Sequence, residues 1–229
     1  MYKWRDTHLQ GDKQIPDIIA CDYQVRPDMA NGFYDDFPEF ASLKPNVHGA
    51  ENLRKIVQVM IAHHVNIIKL FLTERADNKP EDVVPKRTFT DEEIISAVDE
   101  ATKAGIPVAA HEIRNDDAAY TAVKAGVRSI EHGIQLSDKT LALMKMKGTY
   151  LVPTFSFWDQ SPNPVLKIDP SVLVERKRVY LPVLTNLVNR AYKIGVSVIG
   201  GTDTRYSEPG HTMADEALYC TKRAFLQWK

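Results

Sequence analysis

Ala122-Val123-Lys124-Ala125-Gly126-Val127-Arg128-Ser129-Ile130-Glu131-His132-Gly133 is one full repeat of the pattern from which this chain is built. A helical stretch ends at a glycine, an apolar run follows, and the run closes on a residue that can hold a metal or move a proton. Glycine just past a helix takes the left-handed conformation without a Cβ clash, so helix, glycine and strand in that order mark an αβ joint. The joint recurs at Gly105, Gly148 and Gly195, followed by Ile106-Pro107-Val108, Thr149-Tyr150-Leu151-Val152 and Val196-Ser197-Val198-Ile199. Repeated αβ joints predict parallel strands.

Four apolar runs end in chemistry: Ile67-Ile68-Lys69, Val108-Ala109-Ala110-His111, Ser129-Ile130-Glu131-His132-Gly133 and Val198-Ile199-Gly200-Gly201-Thr202-Asp203. In a parallel α/β barrel the carboxyl ends of all strands face one mouth, so such residues converge on a single site. The expected fold is therefore α/β, a TIM-type (β/α)8 barrel, and the expected function is enzymatic and metal-dependent. Strands are predicted near Ile18, Ile67, Val108, Ser129, Leu151 and Val198, about six where closure needs eight.

The 229 residues, 44% hydrophobic, suit one domain spanning 1–229 with a substantial core. A formal charge of −1 and no long run of one sign exclude an electrostatic footprint for nucleic acid or an acidic membrane. The expected partner is a small molecule. Cys21 and Cys220 stand far apart without Cys-x-x-Cys spacing, which argues against a disulfide framework and a structural zinc site. No apolar stretch approaches the roughly 20 residues that cross a bilayer, and the N-terminus leads into polar sequence rather than an apolar signal core. A cytoplasmic chain is the expectation, any address lying on a segment upstream.

Local signals divide the chain further. Thr90 and Glu93 form a capping box ahead of a helix with Ile94, Ile95, Val98 and Ala101 on one face. Asp116 or Asp117 is expected to cap a second helix and Ser137 a third. Ser171 to Ile194 reads as a longer helix, kinked or broken at Pro182. Pro27 to Gly49, with Pro27, Pro38 and Pro45, reads as a long irregular loop of the kind that covers a barrel's site.

Neutral imidazole is the commonest protein ligand of zinc, and His111 and His132 close neighbouring strands at the same phase of consecutive repeats. Asp203 fits as a further ligand or a proton carrier beside a metal-activated water. Strand alternation puts only one of Glu131 and His132 into the barrel, and His132 is favoured. His63 and His64 end a helix away from the mouth, whereas His48 and His211 lie in loops that reach it. A metal-free alternative uses Lys69 as a Schiff-base amine, but leaves the two histidines without a shared task.

Taken together these segments resemble the amidohydrolase superfamily, in particular its imidazolonepropionase-like and prolidase-like branch. The pieces that carry the resemblance are Ile67-Ile68-Lys69, Ala101 through His111, Ala122 through Gly133, and Gly201-Thr202-Asp203, spread over about residues 50 to 216. The resemblance implies hydrolysis of a C–N bond in an amide, cyclic amide or dipeptide by metal-activated hydroxide. Lys69, carboxylated on its amine, would bridge divalent ions, most simply zinc. His111 and His132 would bind one ion, and Asp203 the other while it collects and returns a proton. Family members carry a His-x-His pair on the first strand, and none occurs in this sequence. Ile18 to Cys21 is similar to the family's third strand, and the chain stops soon after His211-Thr212-Met213-Ala214-Asp215-Glu216. The resemblance thus implies a central piece of a longer hydrolase, lacking the first two strands and the C-terminal region and binding one ion at most, weakly. The alternative is a non-catalytic barrel remnant that serves as an interaction module. An open barrel leaves strand edges unpaired, which favours a homo-oligomer.

Overall fold

The computed structural model describes residues 19–74, 84–159, 169–203 and 213–221. Five parallel strands form one sheet in sequence order: β1 (Gln24–Val25), β2 (Ile68–Phe71), β3 (Val108–Ile113), β4 (Ser129–Ile134) and β5 (Tyr150–Val152). Sequential order without a reversal is what a βα barrel produces as it winds around its axis. The run at Val198 joins as a sixth member through a single parallel bridge to Leu151, held by Leu151 N–H to Ser197 O (3.0 Å) and Ile199 N–H to Leu151 O (2.9 Å). The described residues thus form an open arc of the expected barrel.

The first strand lies later than Ile18 to Cys21. Ala20 still bonds across to Asn66, but Asp22 has φ 60, and this left-handed residue breaks the run before pairing resumes at Gln24 opposite Lys69. Ile18 itself lies outside the described residues.

Helices cover the outer face of the arc: α1 (Asn31–Asp36), α2 (Ala50–Ala62), α3 (Asp91–Lys103), α4 (Asp116–Ala125), α5 (Asp138–Lys147), α6 (Phe155–Trp158), α7 (Pro170–Ile194) and α8 (Met213–Tyr219). Ile68, Leu70, Ala110, Ile130 and Leu151 point into this layer and are fully buried, while Lys69 and Tyr150 on the other face are partly open. The capping box of α3 is complete, with Glu93 N–H donating to Thr90 Oγ1 (3.3 Å) and Thr90 N–H to Glu93 Oε2 (2.7 Å). Its buried stripe is Ile94, Ala97, Val98 and Ala101; Ile95 falls off that face and is exposed.

Three local expectations are corrected. Asn115, not Asp116 or Asp117, caps α4, its side chain accepting from Ala118 N–H at 3.1 Å, while Asp116 accepts from Ser137 N–H. α7 runs unbroken through Pro182, which is exposed, so the carbonyl freed one turn earlier faces water instead of apolar core. Residues 27–49 are largely ordered into α1 and a 3-10 turn (Pro38–Leu43), because Phe33, Tyr34, Phe37 and Phe40 bury together. Phe37 packs its ring on His63 at 4.6 Å, near the start of β2 and away from the mouth. Cys21 and Cys220 are free and half-buried. Among the described residues no helix is long and apolar enough to cross a membrane.

Candidate active site

Lys69, His111, His132 and Asp203 come together at the carboxyl ends of the strands. Register pairs Phe71 with His111, and the two rings stack at 4.3 Å and 19°. Lys69, two residues before Phe71, points to the same face and places Nζ 5.9 Å from that ring. His111 meets His132 edge to face with centroids 4.7 Å apart, and His132 Nε2 lies 3.9 Å from Asp203 Oδ2.

His132 reaches this cluster by breaking the strand rule. Register matches His111 with Glu131 and puts His132 on the side of Glu112, so strict alternation favours Glu131. However, His132 has φ 67 and the ladder shifts register between Glu112 and Ile113, which turns the imidazole toward His111. Glu131 stays beside the strand, accepting from Ser129 Oγ at 2.6 Å.

Asp203 is delivered by close backbone approach. A Cβ on Gly201 would stand 2.5 Å from Val152 Cγ1, so only glycine lets the chain pass the end of β5 this tightly. The Asp203 side chain is 51% exposed and opens the cluster to solvent.

The electrostatics suit a ligand. His132 is 3% exposed; burial, reinforced by the Lys69 charge, pushes its pKa down to about 3, so the ring is neutral. Its Nδ1 is 2.6 Å from Thr154 Oγ1, whose own proton goes to Pro153 O at 2.7 Å. The imidazole must therefore donate from Nδ1, leaving the Nε2 lone pair facing Asp203. Two acceptors 3.9 Å apart are too far for a hydrogen bond, and neighbouring ligands of a tetrahedral ion with bonds of about 2 Å stand about 3.3 Å apart, so an ion between them would draw the pair together by roughly half an ångström. The donor set fits a divalent cation on this ground. Among the described residues, no three His, Cys, Asp or Glu side chains are already clustered as a metal site, so His111 and Lys69 would complete the shell by adjusting around an ion.

The surroundings of His132 include groups beyond the strand-end residues. Thr154 follows β5 with φ 56. Phe157 and Trp158, which follow β5, stand 5.9 and 6.0 Å from the His132 ring. Arg114, one residue past β3, and Arg176 and Tyr180, one turn apart on α7, were not marked by any motif, although Arg114 occupies a strand-end position like the others. Glu112 is fully buried, and burial raises its carboxyl to about 8, partly countered by the Asn115 N–H.

A separate cleft of about 470 Å³ opens where β1 and β2 end, lined by Arg26, Asp28, His48, Phe71, Lys86 and Arg87 among others. Both ends of the 27–49 segment border it. His48 is within reach of this mouth, but its Nδ1 is engaged by Glu93 Oε1 at 3.1 Å. His63 and His64 are exposed beyond α2, at the opposite end from the cluster. His211 lies outside the described residues.

Parallel strands whose carboxyl ends bring imidazoles, an amine and a carboxylate together match the place where βα-barrel enzymes carry their active sites. The amidohydrolase family profile matches residues 79–228, and the chain belongs to that family. Ochratoxinase of Aspergillus niger is 28% identical over 179 residues, 76% of this chain and 35% of that enzyme. An uncharacterised Mycobacterium tuberculosis protein is 32% identical over 135 residues, 56% of this chain and 35% of that protein. A crystal structure of a Xaa-Pro dipeptidase with bound methionine superposes with TM-score 0.73 and 25% identity, covering 97% of this chain and 56% of that one. The chain spans about a third of the length of these curated relatives and about half of the dipeptidase.

Proposed function

We propose that this chain carries the later strand ends of a metal-dependent hydrolase acting on C–N bonds of amides, cyclic amides or dipeptides. Family membership supports the reaction class, and likeness to a dipeptidase and to ochratoxinase supports small amide-type substrates. The single observation that carries the reading is the neutral His132, its Nε2 lone pair turned toward Asp203 at 3.9 Å with His111 against its ring.

His132, His111 and Asp203 would hold a divalent ion, most simply zinc, with Lys69 as a further ligand once its amine is carboxylated. Carboxylation would replace a positive charge facing His132 by a negative one, turning a neighbour that repels a cation into a donor for it. The ion, when bound, supplies a Lewis acid for the scissile carbonyl and the attacking water. Thr154 fixes the tautomer and aim of His132. Asp203, half exposed beside the cluster, holds the proton taken from water and returns it to the departing nitrogen.

Calorimetric titration with zinc tests the reading, followed by hydrolysis assays on a panel of dipeptides and N-acyl amino acids. One weak site is expected, lost in His132→Asn and weakened in Asp203→Asn. No zinc binding at millimolar concentration, or binding indifferent to both substitutions, overturns it.

A further inference from the structure

The run at Val198 meets β5 with Ser197 O and Ile199 N–H, both bonded to Leu151. Successive residues of an extended chain turn their N–H and C=O to opposite sides, so those of Val198 and Gly200 face outward along the free edge of the arc. Among the described residues neither Val198 nor Gly200 has a hydrogen-bond partner. The backbone stays free of turns and bends from Val196 through Asp203, and Val196 N–H is returned to Ala191 O.

Sheet edges are usually guarded by charge, by proline or by a covering segment. β1, at the other end of the sheet, has such guards: it is two residues long, Asp22 and Arg26 stand close on either side, and Tyr23 packs edge-on against Phe33 and Phe37. The Val198 edge has none of them. No charged residue and no proline lies between Lys193 and Asp203. Ser197 and Gly200 are exposed, Ile199 is 43% exposed, and Met213, which rests against Gly200, is 56% exposed. Free donors and acceptors beside uncharged, exposed apolar side chains call for a strand with the same properties, and this segment is itself one.

We propose that the edge from Ser197 to Gly200 pairs with the same edge of a second copy of this chain, antiparallel about a twofold axis at Ile199. Val198 of each copy then stands opposite Gly200 of the other, and each such pair exchanges two hydrogen bonds, so four bonds across the axis use every outward N–H and C=O of these residues. The two Ile199 residues take the position between the bonded pairs, with Cα atoms about 4.5 Å apart, where facing side chains come closest. Like edges joined this way close at two copies, whereas the Val198 edge joined to β1 of a second copy would leave further edges open. The seam also steadies the segment that presents Asp203, which joins the sheet by a single bridge. The interface does not depend on the hydrolase reading, since a chain that turns over nothing would still pair.

Sedimentation velocity of the full chain, from about 1 to 200 µM, tests the proposal, with a monomer–dimer equilibrium of micromolar Kd expected for so short a seam. Val198→Pro removes an outward N–H and leaves both bonds to Leu151 in place, so dimerisation should weaken about ten-fold or more. Ile199→Lys and Ile199→Glu each set like charges against each other at the axis and should leave monomers. Mixing these two chains should restore a dimer, a result that only residue 199 facing residue 199 produces; it carries the test where the proline variant fails to fold. Under mild oxidant, Ile199→Cys chains should link in pairs, because their Cα separation suits a disulfide, whereas Ser197→Cys chains, about 14 Å apart across the same axis, should not. A chain that stays monomeric throughout, oligomers that grow beyond two copies, a dimer indifferent to the position 199 charges, or a lysine and glutamate mixture no more associated than its components overturns the proposal.

Discussion

Thr154→Val separates the tautomer of His132 from its mere presence. Valine matches threonine in shape and branching, so the φ of 56 at this position is borne equally well or badly by both. What is lost is the acceptor 2.6 Å from Nδ1. The ring is 3% exposed, so the stranded N–H finds no water in exchange, and the cost is that of a buried unmet donor, about 1–3 kcal/mol. The imidazole can escape part of that cost by moving its proton to Nε2, but this closes the lone pair that faces Asp203. Zinc affinity should therefore fall about 10–100-fold, the usual effect of removing a histidine ligand's hydrogen-bond partner. Thr154→Ser, which keeps the hydroxyl, should retain both properties within a few-fold. Urea unfolding gives the stability and calorimetry the zinc affinity. A Thr154→Val variant with unchanged zinc affinity refutes the assignment of Nε2 as the ligand atom.

Three further outcomes follow from the same coordinates. Burial pushes the Glu93 carboxyl up, but hydrogen bonds from the Gly49 and Thr90 N–H groups and from His48 outweigh it and hold the pKa below its ordinary value. Its stabilisation is therefore full above the unfolded value of about 4.3 and lost as pH falls through the lower folded value. Urea melts should show the stability gap between the native chain and Glu93→Gln shrinking from pH 5 to pH 3; a constant gap contradicts this. Gly201→Ala meets Val152 Cγ1 at 2.5 Å and should cost about 1–3 kcal/mol, with zinc affinity falling as Asp203 is displaced. Adding Val152→Ala should recover much of the loss, whereas strictly additive effects would place the strain elsewhere. Pro182→Ala restores an amide donor within exposed, continuous α7 and should raise stability by about 1–3 kcal/mol; a destabilised variant in the same urea assay would mean the proline shapes the helix.

The alternation of helix, glycine and strand was legible because each joint is a local event. Gly126 has φ 110 and Gly195 φ 91, and each is followed by the strand or bridge that its apolar run announced. The capping box at Thr90 and Glu93 was visible for the same reason, since both partners lie within four residues. What stayed hidden depended on distant neighbours. The aromatics of residues 31–43 read as loop because their burial comes from contacts with Tyr23 and His63, and Asp22 interrupts the first strand through a backbone angle that its residue type does not announce.

The site divides along the same line. Lys69, His111, His132 and Asp203 were found because a parallel barrel converts the end of a strand into a place at the mouth, a rule that needs no three-dimensional detail. Yet alternation admits only one of Glu131 and His132, and the register with His111 admits Glu131 rather than the favoured His132. The imidazole arrives through a left-handed residue and a register shift. Such a departure from regular strand geometry has a cost, and it is sustained because Thr154 and the surrounding rings fix the result. Arg114 obeys the strand-end rule as well as any of these, but arginine announces no chemistry by itself, and its place 5.8 Å over the Tyr180 ring depends on α7, far along the chain. The strand-end residues are thus readable from topology, whereas the groups around them come from side chains converging from elements far apart in sequence, and only the folded chain places them together.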